Sequence, residues 1–372
     1  MTIRMENWYK INNVEELDSP ALVVFPERIN ENIRVLKEFI PDTNRLRPHV
    51  KTNKCAEVCR LLMEAGIKKF KCATIAEAEM LAMINVSDVL LAYQPVGPRG
   101  LRLCRLIKKY PSTKFSCLID NIETANELSA TAQKEDVTIT IFLDLNVGMN
   151  RTGIVPEKAL SLFLHCQSLK GLSPMGLHAY DGHHNSSDLS VRTKGCDEGF
   201  LRVEKLQKEI TKQAGVTPNI VTGGNTTLSI HAKRKNADCS PGTFIFWDYG
   251  YHKLFAELPF VFAAVLVTRI ISKTDDETIC IDLGHKSVAS ENPINKRIHF
   301  LNAPELEPVG HSEEHLILKA PKNNTYKVGD VLYGVPFHIC PTVALHETVA
   351  VVEDHRITES WNIVSRKRKI SI

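Results

Sequence analysis

The 372-residue chain contains no run of 18 continuous apolar residues, so no helix in it is expected to span a bilayer. The N-terminal stretch MTIRMENWYK lacks the apolar core of a secretory signal. Charge of one sign is scarce. Lysine and arginine total 46 against 43 acidic residues, and the net +3 is too small to mark a nucleic-acid partner. The one dense basic run, Arg366-Lys367-Arg368-Lys369, reads as a solvated terminus. Paired cysteines are lacking too. Ten thiols stand singly, several inside apolar runs such as KFKCAT and KFSCLID. That pattern fits buried free thiols in a reducing compartment, not a disulfide framework. Neither a fixed short repeat nor a low-complexity segment is present. What remains is a cytoplasmic globular protein, long enough for one large domain and a smaller one.

What the chain does have is alternation. Short β-rich runs recur as LRPHVK (46–51), KFKCAT (69–74), DVLLAY (88–93), KFSCLID (114–120), TITIFLDLN (138–146), LSPMGLHAY (172–180), NIVTGG (219–224) and SPGTFIFWD (240–248). Helical stretches such as CAEVCRLLMEAG and FLRVEKLQKEITKQAG lie between them. This spacing predicts parallel βαβ units. Eight strands fit a TIM (β/α)8 barrel over residues 25–248, although a doubly wound open sheet would also alternate. After residue 248 the runs turn β-rich with no long helix between them, which predicts a mainly-β domain of residues 249–372 joined by residues 1–24.

Barrel chemistry sits at the C-terminal ends of strands. Those ends supply Lys51, then Arg151 beyond DLNVGMNRTG, then His178, Tyr180, His183 and His184 in HAYDGHH, and then TGGNTT. In the last, Gly223 and Gly224 let the backbone approach an anion, Asn225 and Thr226 add donors, and Thr222 ends the strand. Gly-Gly-Asn is also ordinary turn chemistry. A phosphate grip and a strand-end lysine together point to pyridoxal 5'-phosphate, whose aldehyde condenses with a lysine amine. Farther on, His338 and Cys340 form an H-x-C pair; on a strand the two would share a face, and imidazole plus thiolate suits zinc. A core cysteine beside an ordinary histidine accounts for the same spacing. HSEEH (311–315) matches an inverted zincin pattern, but Pro308 and Gly310 before it and LILKA after it argue against the helix that chemistry needs.

RPHVKTNK followed by CATIAEAE resembles the cofactor-lysine region of the D-threonine aldolase and D-serine dehydratase family. That family has the alanine-racemase type of barrel. The likeness continues through SPALVV, DLNVGMNRTG, HAYDGH, TGGNTT, PGTFIFWD, IDLGHKSVASE and HICPTVAL. The resemblance implies that Lys51 is the Schiff-base lysine, that Arg151 lies near the cofactor's ring oxygen, that Tyr180 lines the pocket, and that Gly223 to Thr226 hold the phosphate. It implies a divalent metal, zinc or manganese, on His338 and Cys340, and a homodimer. Tyr249 is the candidate partner of the pyridine nitrogen.

Two lyase reactions on D-3-hydroxy amino acids fit that resemblance: aldol cleavage and dehydration. H-x-C leans toward dehydration, because the aldolases of the family carry an aspartate where Cys340 stands. Their histidine several residues past A-Y-x-G would fall near Ser186 here, whereas His183 and His184 come earlier. Lys51, His183 and Tyr180 are the expected catalytic residues. An amino-acid racemase and a non-catalytic cofactor carrier are the alternatives. The long β domain argues against the carrier.

Overall fold

A computed structural model describes residues 7–372. The chain forms two compact units. One comprises the chain up to Val35 together with Thr52–Glu57 and Thr243–Arg366; the other comprises Leu36–Lys51, Val58–Gly242 and Lys367–Ile372.

In chain order the strands are β1 (Ala21–Val24), then β2 (Lys69–Cys72), β3 (Asp88–Leu91), β4 (Lys114–Ile119), β5 (Ile139–Asp144), β6 (Leu172–Ala179), β7 (Asn219–Thr222) and β8 (Ala237–Cys239). β2 through β8 form one parallel sheet in strictly sequential order. Helices cross between successive strands, as parallel pairing requires. Leu90, Leu118, Phe142 and Val221 from alternate depths of the sheet pack as a buried cluster. Most strands are only four to six residues long and buried along most of their length, which is why they read as short apolar runs rather than alternating ones.

Two of the eight expected strands are realised differently. LRPHVK is no regular strand. Leu46 bridges Cys239 of β8 and His49 bridges Lys71 of β2, so the segment touches both edges of the sheet with single bridges. Pro48 cannot donate to a ladder, and only its carbonyl takes part, accepting from Lys71 N at 2.9 Å. The eighth strand lies earlier than SPGTFIFWD, at β8; Thr243–Ile245 is a 3-10 turn whose side chains are buried. Pro241 and Gly242 interrupt the ladder there.

The other unit is built on β1 with β9 (Ala264–Lys273), β10 (Thr278–Ile281), β11 (Ile298–Phe300), β12 (Glu307–His311), β13 (Leu316–Lys319), β14 (Val331–Pro336), β15 (Thr348–Glu353) and β16 (Arg356–Asn362). Its sheet runs β12-β13-β10-β9-β1-β15-β16, with β14 on β9 and β11 on β14. Every pairing is antiparallel except β1 with β15. Val23, Val265, Val267, Val335, Ala350 and Val352 form its core. The N-terminal strand thus joins the β-rich C-terminal part. HSEEH falls between β12 and β13 and is not helical.

No helix among the described residues is long and apolar enough to cross a membrane. None of the ten cysteines is in a disulfide; eight are buried, and Cys280 and Cys340 are half-buried.

Candidate active site

In the parallel-sheet unit the site starts from the pairing of residues 48–50 with β2. Val50 N donates to Lys71 O at 2.9 Å, which sets His49 opposite Lys71 and leaves the exposed Lys51 in the turn just beyond. Lys71 is 2% exposed. Its amine lies 3.5 Å from His178 Nε2 and 5.5 Å from the centre of the Tyr180 ring. Arg151 approaches the same ring, with Cζ at 5.2 Å from its centre.

His178 Nδ1–H donates to Asp144 Oδ1 at 2.8 Å, and Asp144 Oδ2 accepts from Thr152 Oγ1 at 2.8 Å and Gln94 Nε2 at 3.0 Å. Burial lowers the His178 pKa, and the amine of Lys71 adds to that, against the pull of Asp144. Burial alone would raise Asp144; the bonds from His178, Thr152 and Gln94 hold it below the usual range. Burial, with Lys51 next in weight, pushes Lys71 down to about 7.

The loop after β7 also packs against Tyr180. A Cβ at Gly224 would come within 3.0 Å of Tyr180 Cε2, and one at Gly182 would overlap the Tyr180 hydroxyl, so the ring occupies space that only glycines leave. Gly223 has φ +71, a conformation that penalises any other residue, with His231 and Thr227 packed against it. Thr226 Oγ1 and Ser229 Oγ are buried with no hydrogen-bond partner. Two orphaned hydroxyls beside a glycine turn are what a missing acceptor-rich group would satisfy, so these residues fit a phosphate. The following helix, Leu228–His231, is a single turn. Thr222 spends its hydroxyl on Ala179 O at 2.9 Å, and Asn225 Oδ1 accepts from Gly242 N at 2.7 Å.

The loop rests on Asp181. Its Oδ1 accepts from Thr227 Oγ1 at 2.8 Å and its Oδ2 from His231 Nε2 at 2.6 Å, and Thr227 Oγ1 in turn accepts from Gly224 N at 3.3 Å. Burial would raise Asp181, but His231 and Thr227 hold it at about 2. The donor atoms of Asp181, Cys196 and His231 all lie within 4.8 Å of one another, near enough to share a metal ion. The His183 and His184 rings lie 3.9 Å apart, centre to centre, tilted by 40°; burial and then His184 lower the His183 pKa.

In the antiparallel unit, His338 and Cys340 do not lie on a strand. The chain leaves β14 at Pro336, and His338 caps the short helix Ile339–Val343. Two features turn the chain. Pro341 suits a helix's first turn, and buried Asp248 accepts from Ile339 N at 3.2 Å. Burial alone would lower the His338 pKa, but Cys340 and Glu291, whose Oε1 is 2.5 Å from His338 Nδ1, hold it up at about 9. Cys340 Sγ is 3.2 Å from Thr52 Oγ1 and 3.4 Å from Thr243 Oγ1. A histidine and a thiol within interaction range, the histidine oriented by a carboxylate, form a donor set that fits a divalent metal.

The alanine racemase N-terminal domain model matches residues 25–249, more than half of the chain. The chain belongs to this family. A putative serine dehydratase domain model matches residues 263–352. The chain is 24% identical to the D-threonine aldolase of an Arthrobacter species, over 94% of its own length and 93% of that protein. It is 21% identical to the D-threo-3-hydroxyaspartate dehydratase of Delftia sp. strain HT23, over 93% and 97%. The crystal structure of D-threonine aldolase from Filomicrobium marinum superposes with a TM-score of 0.87 at 22% identity, covering 94% and 96% of the two chains. Its fold is therefore that of this family's barrel with a mainly-β domain. The chain is an enzyme of the lyase class.

Of the sequence-derived residues in the parallel-sheet unit, Arg151 and Gly224 lie against the Tyr180 ring, and Lys51 acts electrostatically on Lys71 beside it. His183 packs against Gly148 and His184. Tyr249 belongs to the antiparallel unit, where its ring stacks on His299 with centres 4.1 Å apart. Sequence reading missed Lys71, Asp144, Asp181 and His231. KFKCAT shows Lys71 as one of two ordinary lysines, and nothing in the motif says which one points inward. Glu291 and Asp248 were missed for the same reason: they lie 47 and 90 residues from His338 in sequence.

Proposed function

We propose that the chain is a lyase for D-3-hydroxy amino acids that uses pyridoxal 5'-phosphate and a divalent metal, zinc or manganese, with dehydration favoured over aldol cleavage. The observation that carries the cofactor reading is the glycine turn with its two orphaned hydroxyls, packed against the ring of Tyr180. Gly223 to Thr226 would hold the phosphate, Lys51 the aldehyde carbon, and Arg151 and Tyr180 the ring; His338 and Cys340 would hold the metal. When bound, the cofactor supplies an electron sink for the bond broken at the α-carbon, and the metal a Lewis acid for the 3-hydroxyl.

The protein's own share of the work is positioning and proton handling. Tyr180, wedged between Gly182 and Gly224, gives the pocket a rigid wall. A lysine amine released at Lys51 is a base able to take the α-proton, as dehydration requires. His183, whose proton affinity burial and His184 lower, is the candidate second acid/base group. Glu291 orients His338 so that one ring nitrogen faces away from the carboxylate. The lean to dehydration rests on Cys340 in the H-x-C pair. A cytoplasmic location and a homodimeric assembly go with this reading, in keeping with ten cysteines of which none is in a disulfide.

Product analysis tests it. Purified protein is loaded with pyridoxal 5'-phosphate and given D-serine and D-threonine with zinc or manganese, then with a chelator. A 2-oxo acid plus ammonia is expected, and glycine plus acetaldehyde would assign aldol cleavage instead. Formation of the L-enantiomer alone, insensitive to chelator, would overturn the lyase reading in favour of a racemase.

A further inference from the structure

Lys71 has no part in the residues assigned so far, yet it is the most buried amine of the parallel-sheet unit. Its side chain is among the largest that are fully enclosed. A lysine is almost never placed there without a partner or a task. No carboxylate is hydrogen-bonded to its amine. The partner is His178 Nε2 at 3.5 Å, and because His178 Nδ1–H is committed to Asp144, Nε2 is the acceptor and Lys71 the donor. Behind Asp144 the network continues through Gln94, whose Nε2 also donates to Asp120 Oδ2 at 2.9 Å. Lys71, His178 and Asp144 therefore make a continuous path for a proton, with a carboxylate to balance an imidazolium at its centre.

The charged groups acting on Lys71 come from every side. Lys51 and Arg47 lie on the 46–51 segment, Arg151 on the loop after β5, Asp144 on β5, His178 on β6 and Tyr180 just beyond it. Arg47 is itself paired with Asp88 and Asp238, so Lys51, Lys71 and Arg151 are the cations set against Asp144. The amine of Lys71 and the guanidinium of Arg151 beside the Tyr180 ring favour an anionic substituent on whatever docks there.

We propose that Lys71 is a second proton-carrying amine of the cofactor pocket, linked by His178 to Asp144, and that its charge sets the protonation of the bound cofactor. This rests on the cofactor reading given above. The step is a proton transfer: Lys71 Nζ–H gives its proton to His178 Nε2, the imidazolium is balanced by Asp144, and the return restores both groups. While Lys71 carries its proton it disfavours a further proton on the neighbouring cofactor; with the proton on His178, that opposition weakens. Lys71 is a positioning and tuning residue in this scheme, acting on the cofactor's charge rather than replacing Lys51. The depressed proton affinity of Lys71 supports the scheme, since it lets the amine change charge near neutral pH.

The experiment is a pH titration of the visible absorbance, about 420 nm, of the cofactor-loaded protein. In Lys71→Met the pH at which the band gives way is expected to rise by about one unit or more, as loss of a cation at this range predicts. Lys71→Arg keeps a permanent cation and is expected to stay at or below the wild-type midpoint. His178→Asn breaks the path and is expected to shift the midpoint less than Lys71→Met. An unchanged midpoint in a Lys71→Met protein with wild-type circular dichroism and a retained band overturns the proposal. A His178→Asn midpoint identical to wild type overturns the relay. Absence of the band from loaded wild type overturns the cofactor reading itself, and is thereby distinguished from failure of the Lys71 proposal.

Discussion

The two candidate centres are built on opposite principles. In the parallel-sheet unit the loop after β7 offers backbone and hydroxyl donors, none of which changes charge with pH. In the antiparallel unit the His338–Cys340 turn is made of ionisable groups, a histidine raised to about 9 and a buried Asp248 raised by burial to about 6. The first arrangement suits an anion whose charge is permanent, because neutral donors cost less to bury than charged ones and are satisfied by its oxygens. The second suits a cation that competes with protons for its ligands.

The comparison breaks most sharply at Lys51. Lys51→Ala is expected to abolish the visible band after borohydride-free loading and to cut turnover by about a thousandfold or more, with the His338–Cys340 turn intact. Absorbance and single-turnover product yield measure this. A variant that keeps both band and turnover would move the aldehyde-binding role elsewhere, Lys71 being the nearest amine available.

Cys340→Ala separates the two centres from the other side. Loss of about 10- to 100-fold in activity and loss of bound metal are expected, with the band retained. Metal content by elemental analysis and the absorbance spectrum decide it. Disappearance of the band would make Cys340 a structural residue instead.

The smallest effect is expected at the brace beneath the glycine turn. Asp181 is ionised in the fold with a pKa of about 2 against 3.8 ordinarily, so its contribution is fully present above about pH 4 and is lost as pH falls toward 2. Asp181→Asn should lower stability at neutral pH by about 1–3 kcal/mol, and the difference from wild type should shrink below about pH 4. Chemical denaturation at several pH values measures it. A constant difference across that range would mean that the carboxylate charge contributes nothing and that only packing is lost.

How much of this was legible in the sequence varies with the range of the interaction. Lys51, the TGGNTT turn and strand–helix alternation are local patterns, and each was visible. The strand expected at 240–248 failed because apolar content does not distinguish a buried turn from a buried strand; Pro241 and Gly242 were the available signal. The alternation of H-x-C suggests a strand, whereas Pro341 signals the first turn of the helix that forms there. Lys71 shares its motif with Lys69, which is partly exposed and pairs with Asp238 at 3.0 Å. Two positions apart on a strand point the same way, so only burial depth separates them, and depth is absent from the pattern.

By itself the sequence determined the class of fold, the strand-end lysine and the glycine turn, because periodicity and backbone permissiveness are properties of neighbouring residues. The tertiary structure alone decided which charges are enclosed. Asp144 meets His178 across 34 residues, Asp181 meets His231 across 50, and Glu291 meets His338 across 47. Their proton affinities follow from desolvation and from partners brought near by pairing of β2, β5, β6 and β7 or by the turn after β14. Those terms exist only once the sheets have formed.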